Sequence, residues 1–337
     1  MAVICSNPEC NISETGKCVE GFSPVDDCPT YGSEIDDLAV EVVDSSPLEE
    51  TIESDVISLS SGNVLDDKQT DSLLKQYSGQ VIACIGPSDI GKTTLLASIY
   101  EVFNKGNAIN YSFGGSKTLY AFEEICHHSR AASHNKQADM IRTVRKNAAS
   151  FYHIALNSLN KSARVDLFLA DRAGEEYEDA VNNSDDCSGL YEVLRADMLM
   201  ILIDGRALSD NKDRHAAKSH AEGLVRALQD EDMFTTGMEV IIIMTRYDLA
   251  FIKGSAEKAL GELSKVTQKI KSILVGLNVN VTSHVVAARP NDITNADIGH
   301  GVPELIEMMA IKSSFKVNSE PSEVIAGPRS FHRFGIE

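Results

Sequence analysis

The stretch "QVIACIGPSDIGKTTLL", Gln80 to Leu96, decides the fold of this chain. Its first half is a short apolar run that reads as a buried strand. Its second half opens "KTTLLASIYEVFN", with Leu95, Leu96, Ile99, Val102 and Phe103 at helical spacing on one face. Between them Gly86, Pro87, Ser88, Asp89, Ile90, Gly91, Lys92 and Thr93 match G-x-x-x-x-G-K-[ST], with Thr94 completing the first helical turn. A strand before and a helix after are the context this phosphate-binding pattern requires. Glycines let backbone N–H groups curl around phosphate oxygens without a Cβ in the way. The start of the helix adds partial positive charge. Lys92 would neutralise the outer phosphates, and the Thr93 hydroxyl would ligate Mg²⁺. The plainer alternative is a glycine turn ahead of an ordinary helix.

Outward from this loop, strand-like runs alternate with amphipathic helices. "FYHIAL" and "ARVDLFLAD" read as adjacent strands and "DMLMILIDG" as another. "KDRHAAKSHAEGLVRALQD" reads as a helix, "EVIIIMTRYD" as a strand and "SAEKALGELSKVTQKIKSILVGL" as a helix. "VTSHVVAAR" and "VPELIEMMAIKSSF" close the series as strand and helix. Such alternation predicts a three-layer α/β/α sandwich around a mostly parallel sheet. Ligands of such sheets bind beyond the carboxyl ends of the strands, where each candidate motif falls.

The 337 residues carry a formal charge of −19, spread unevenly. Residues 1–75 hold 17 Asp or Glu against 3 Lys, so −14 belongs to the front of the chain and −5 to the remainder. That balance speaks against nucleic acid and anionic lipid as partners. No apolar run approaches the roughly 18 residues of a membrane span, and "MAVICSNPEC" is not built like a secretory signal. A soluble, cytoplasmic protein is expected. Four segments follow from composition: a Cys-rich segment at 1–33, an acidic Ser-rich linker at 34–76, the main domain at 77–316 and a polar tail at 317–337.

Two later motifs bear on which nucleotide is held. The strand "VDLFLA" ends at Asp171, followed by Arg172, Ala173, Gly174 and Glu175, a D-x-x-G pattern. "EVIIIMTRYD" ends in Thr245, Arg246, Tyr247 and Asp248, close to N/T-K-x-D with Arg for Lys. In this order the motifs resemble those of the P-loop NTPase fold and of its TRAFAC-class GTPases. The resemblance implies that Asp171 reaches Mg²⁺ through water, that the Gly174 amide contacts the γ-phosphate and that Asp248 reads guanine. The Asp248 carboxylate can accept from guanine N1–H and the 2-amino group, which adenine does not offer. The stem of Arg246 can lie over the base and its planar head can stack. In "SHVVAARP", Ala287 or Ala288 would offer a backbone N–H to the guanine oxygen. Without the resemblance, Asp171 reads as a helix cap and T-R-Y-D as a strand-end turn.

Asp171 lies 79 positions after Lys92, farther than in a minimal small GTPase. The extra chain, 105–150, should hold the first switch, with Thr118 or Thr143 as its threonine. Thr143 lies nearer the expected place, and Arg142 and Arg145 flank it. Glu175 follows the D-x-x-G glycine, where family members place a water-positioning residue. Its charge implies slow hydrolysis in the absence of a protein partner. Asp89 stands where cation-activated members have an Asn ligand for K⁺, or else points to solvent. His127, His128 and His134 suit a solvated helix better than a shared metal.

Cys5, Cys10, Cys18 and Cys28 are spaced C-x4-C-x7-C-x9-C. Four thiolates could hold one structural Zn²⁺ and fold a segment too short for its own core, and a loose tail with four thiols is the alternative. The insert, the T-R-x-D motif and the Cys-rich front together resemble the double-GTPase families. Those are implied to act as paired GTPases in bacterial conflict or defence systems. The expected activity is hydrolysis of GTP to GDP and phosphate with Mg²⁺, driving a switch with a protein partner, such as a second GTPase. A P-loop ATPase and a nucleotide-dependent scaffold with little hydrolysis are the rival readings.

Overall fold

Seven short apolar runs pair into one sheet in the computed structural model. It describes residues 60–77, 79–106, 109–127, 143, 145, 148–160, 163–251, 255–290 and 297–311, with 18, 21–24, 27, 28 and 31. The strands are β1 (Gly79–Ile85), β2 (Tyr111–Gly115), β3 (Ser150–Ser158), β4 (Arg164–Asp171), β5 (Met198–Asp204), β6 (Glu239–Thr245) and β7 (Asn280–Val285). Their order is β2-β3-β4-β1-β5-β6-β7. Strands β4, β1, β5, β6 and β7 are parallel neighbours, whereas β3 is antiparallel to both β2 and β4. The result is a mixed, mostly parallel α/β sheet flanked by helices.

The helices are α1 (Asp67–Gln76), α2 (Lys92–Asn104), α3 (Leu119–His127), α4 (Gly174–Asn182), α5 (Tyr191–Leu194), α6 (Gly205–Ser209), α7 (Arg214–Asp230), α8 (Tyr247–Phe251), α9 (Ala256–Ile273) and α10 (Val302–Ala310). Alternation along each strand sends neighbouring side chains to opposite faces. Ala83, Ile85, Leu199 and Ile201 join a core with Leu224 and Leu228 of α7 and Leu263 and Ile270 of α9. Ile82, Cys84, Leu167 and Met200 join a core with Leu95 and Ile99 of α2, Phe122 of α3 and Leu305 of α10. The continuous apolar character of β1, β5 and β6 is the signature of strands covered on both sides.

Residues 60–76, the end of the stretch expected as a linker, include a helix. The chain divides into two units, Met1–Ile57 and Ser58–Glu337, so the larger unit starts before residue 77. Leu65 pairs with Phe151 in an isolated bridge, and α1 follows. Asp66 and Gln69 form a reciprocal capping box at its start. Leu65, Leu73 and Leu74 pack against Val81, Phe151 and Phe168. Three leucines among charged residues gave too weak a pattern to stand out in the sequence. β2 and α3 lie in the insert, where the sequence had suggested only a solvated helix about its histidines; α3 ends at His127. In the smaller unit Cys28 is buried and Cys18 half-buried. Cys5, Cys10, Arg142, His128, His134 and the predicted tail lie outside the described residues.

Candidate functional site

The motif-bearing loops leave the carboxyl ends of β1, β4 and β6. The β1 loop is wound by residues in left-handed backbone: Gly86, Asp89 and Gly91 have φ of 148°, 57° and 100°. Gly91 then caps α2, whose first residue is Lys92. Lys92 is buried, and its ammonium donates to the carbonyls of Gly86 (2.9 Å) and Pro87 (3.0 Å). Its Nζ also lies 5.6 Å from the centroid of the Tyr177 ring. Burial pushes its pKa below the ordinary lysine value, against the pull of Asp171, Cys84, Glu175 and Glu178. A phosphate anion at this point would favour the charged ammonium.

Thr93, Thr143 and Asp171 converge beside the loop. Thr93 Oγ1 donates to Asp171 Oδ2 at 2.9 Å and Thr143 Oγ1 to the same oxygen at 3.0 Å. The two hydroxyls are 2.9 Å apart. Asp171 Oδ1 is buried with no hydrogen-bond partner among the described residues. Burial raises the Asp171 pKa, and Lys92 and the two threonines oppose the rise. Two hydroxyls and a carboxylate with one unmatched oxygen form an all-oxygen donor set, which fits a hard divalent cation such as Mg²⁺. Thr118 sits elsewhere, fully buried, bonded through its hydroxyl to the backbone of His153. Arg145 pairs with Asp179 on α4.

Gly174, at the start of α4, lies directly on the β1 loop. A Cβ at this position would be 2.2 Å from Ser88 N and 2.4 Å from Pro87 C, so no larger residue fits. The preceding Arg172 is buried, with Glu176 as an ion-pair partner and both Glu192 oxygens at 2.8 Å. The Tyr177 hydroxyl adds 3.0 Å to Glu192. This network fixes the turn between β4 and α4. Glu175 is half-buried in the first turn of α4, and its charge reaches Lys92.

The β6 loop is tied to the β1 loop. Thr245 is buried and donates to the Ile90 carbonyl at 3.0 Å and to the Ile203 carbonyl at 3.3 Å. Arg246 adopts left-handed backbone (φ 52°). Its guanidinium bonds Asp204 Oδ2 at 2.7 Å and also the Asp89 carbonyl. The head expected to stack is therefore committed, and the stem is the part left for a base. Asp89 contributes its carbonyl to this tie while the residue itself is exposed. Asp248 is buried beside them. Ala287 N–H donates to the His300 carbonyl at 3.0 Å, so of the two alanines Ala288 is the better placed to donate to a ligand.

Several residues here escaped the sequence reading. Asp204 ends β5 and pairs with Arg246, and the Ser88 N–H donates to Glu178 Oε1 at 2.8 Å. Glu192 lies outside every motif, and only its position near "DRAGEEYED" could have drawn notice. Among the described residues no group of three or more His, Cys, Asp or Glu could hold a metal, and no helix is long and apolar enough to cross a membrane.

The family described as Double-GTPase 2 (DO-GTPase2) matches over residues 80–310. No curated protein matches. Among solved structures, the signal recognition particle receptor SRb-GTP/SRX complex of Chaetomium thermophilum is 12% identical at a TM-score of 0.40, covering 68% of this chain and 98% of that one. The GTP-bound Ski7 GTPase-like domain of S. cerevisiae is 11% identical at 0.39, covering 74% and 53%. Sup35 complexed with GDP is 11% identical at 0.30, covering 61% and 37%.

Proposed function

This chain belongs to the Double-GTPase 2 family, and from that premise we propose that it binds GTP with Mg²⁺ and hydrolyses it slowly as a partner-dependent switch. The observation that carries the reading is the convergence of Thr93, Thr143 and Asp171 next to Lys92. Backbone N–H groups from Ser88 to Thr93 would hold the phosphates, with Lys92 countering their charge. Thr93, Thr143 and Asp171 would hold Mg²⁺, which offsets phosphate charge when bound. The Gly174 amide would face the terminal phosphate. Glu175 would accept a hydrogen bond from the attacking water. The water oxygen bonds to the γ-phosphorus, the bond to the β-phosphate oxygen breaks with its electrons going to GDP, and phosphate carries away the proton. Thr245 and Arg246 would brace the base loop, Asp248 would read guanine and Ala288 N–H would meet its oxygen.

Multiple-turnover phosphate release tests the reading. GTP should give product above background, ATP should not, and Lys92→Ala should abolish the signal. GTP binding without turnover would favour the scaffold reading. Equal turnover of ATP would favour the ATPase.

The remaining proposals rest on the resemblance and on composition. A second GTPase is the proposed partner, and a bacterial defence system the proposed setting. Loss of both co-purification and protection in Lys92→Ala would agree with them. Zn²⁺ at Cys5, Cys10, Cys18 and Cys28 is proposed for the front unit, and metal analysis finding none would remove it.

A further inference from the structure

The β1 loop already carries an anion. Ser88 N–H donates to Glu178 Oε1 at 2.8 Å, a contact between residues 90 apart in sequence. Its place is the corner where the phosphate loop meets the D-x-x-G turn, because the Ser88 backbone lies directly against Gly174. The carboxylate is also near enough for its charge to act on Lys92. Lys92 and Gly174 serve the outermost phosphate in the reading above. Glu178 therefore holds the end of the loop where a triphosphate projects and a diphosphate stops short.

We propose that Glu178 sets the preference between GTP and GDP, its carboxylate holding the Ser88 amide beside GDP and giving way to the terminal phosphate of GTP. One N–H cannot serve two anions, and two anions in one low-dielectric corner repel. The diphosphate leaves the contact intact. The buried Arg172–Glu176–Glu192 network anchors the first turn of α4, so the side chain can swing while the helix start stays fixed. His220 on α7 offers a destination. Its buried Nε2 has no partner among the described residues, and its ring already feels the charges of Glu178 and Lys92.

This inference rests on the nucleotide reading and has its own test. Affinities for GDP and for a non-hydrolysable GTP analogue are measured on the full chain, for wild type, Glu178→Gln and Glu178→Ala. Gln keeps an oxygen for Ser88 N–H and removes the charge, so it guards against a folding artefact. Both variants should shift the ratio toward the GTP analogue, Ala by about tenfold or more, as expected when a hydrogen bond to a charged group is lost from one state only. An unchanged ratio with both nucleotides still bound would overturn the role of Glu178 alone. Failure of wild type to bind either nucleotide would overturn the nucleotide reading and this inference with it.

Discussion

Thr143 donates a 3.0 Å hydrogen bond to Oδ2 of Asp171, 28 residues downstream, on the same oxygen that receives Thr93. This places the insert threonine on the phosphate loop and leaves Thr118 in the core. Thr143→Ala should weaken Mg²⁺-dependent nucleotide binding by about tenfold or more, in line with lost support at a metal site. Thr118→Ala should leave nucleotide binding intact and cost about 1–3 kcal/mol of stability, because the His153 backbone loses its partner. Titrating Mg²⁺ against a fluorescent nucleotide for both variants checks the assignment, and the reverse pattern would refute it.

Arg172 is the cation of a buried network with Glu176 and Glu192. Arg172→Met should destabilise the fold by about 3–5 kcal/mol, because two carboxylates lose their counter-charge out of reach of water. Urea unfolding measures this. A change below about 1 kcal/mol would mean that water reaches the pair.

Arg246 bridges Asp204 and the Asp89 carbonyl with a planar fork. A lysine ammonium lacks that geometry. Arg246→Lys should lower GTP affinity by roughly tenfold while keeping the preference over ATP, since Asp248 is untouched. Competition binding separates the two effects.

His153 is buried between the Lys117 N–H, which donates to Nδ1 at 3.0 Å, and Asp166, 3.0 Å from Nε2. Protonating Nδ1 would break the first contact. Burial holds its pKa below the ordinary 6.5, although the neighbouring Asp166 pulls upward. The unfolded chain therefore takes up the proton first as pH falls. The stability contribution is complete above about pH 6.5 and is lost progressively below it. His153→Phe should flatten the fall in urea midpoint between about pH 8 and pH 5.5. The slope should persist in part, because burial depresses His220 in the same direction.

The parallel strands were legible because both faces are covered and the runs are apolar throughout, as in "MLMILI" and "VIIIM". The phosphate loop was legible because its glycines meet backbone constraints that few residues satisfy. α1 and β2 were hidden because their apolar positions are few and their stability comes from distant partners such as Phe151. The choice between Thr118 and Thr143 was open for the same reason: what separates them is contact with Asp171, which spacing does not encode. Glu178 and Asp204 act through loops 90 and 42 residues away. Single carboxylates at such separations carry no local pattern.

The central claim is that the β6 loop reads guanine. Its most direct test is competition of GTP and ATP against a fluorescent guanine nucleotide with Mg²⁺, for wild type and Asp248→Ala. The account predicts a strong preference for GTP that disappears in the variant. Equal competition by ATP against the wild-type protein would contradict it.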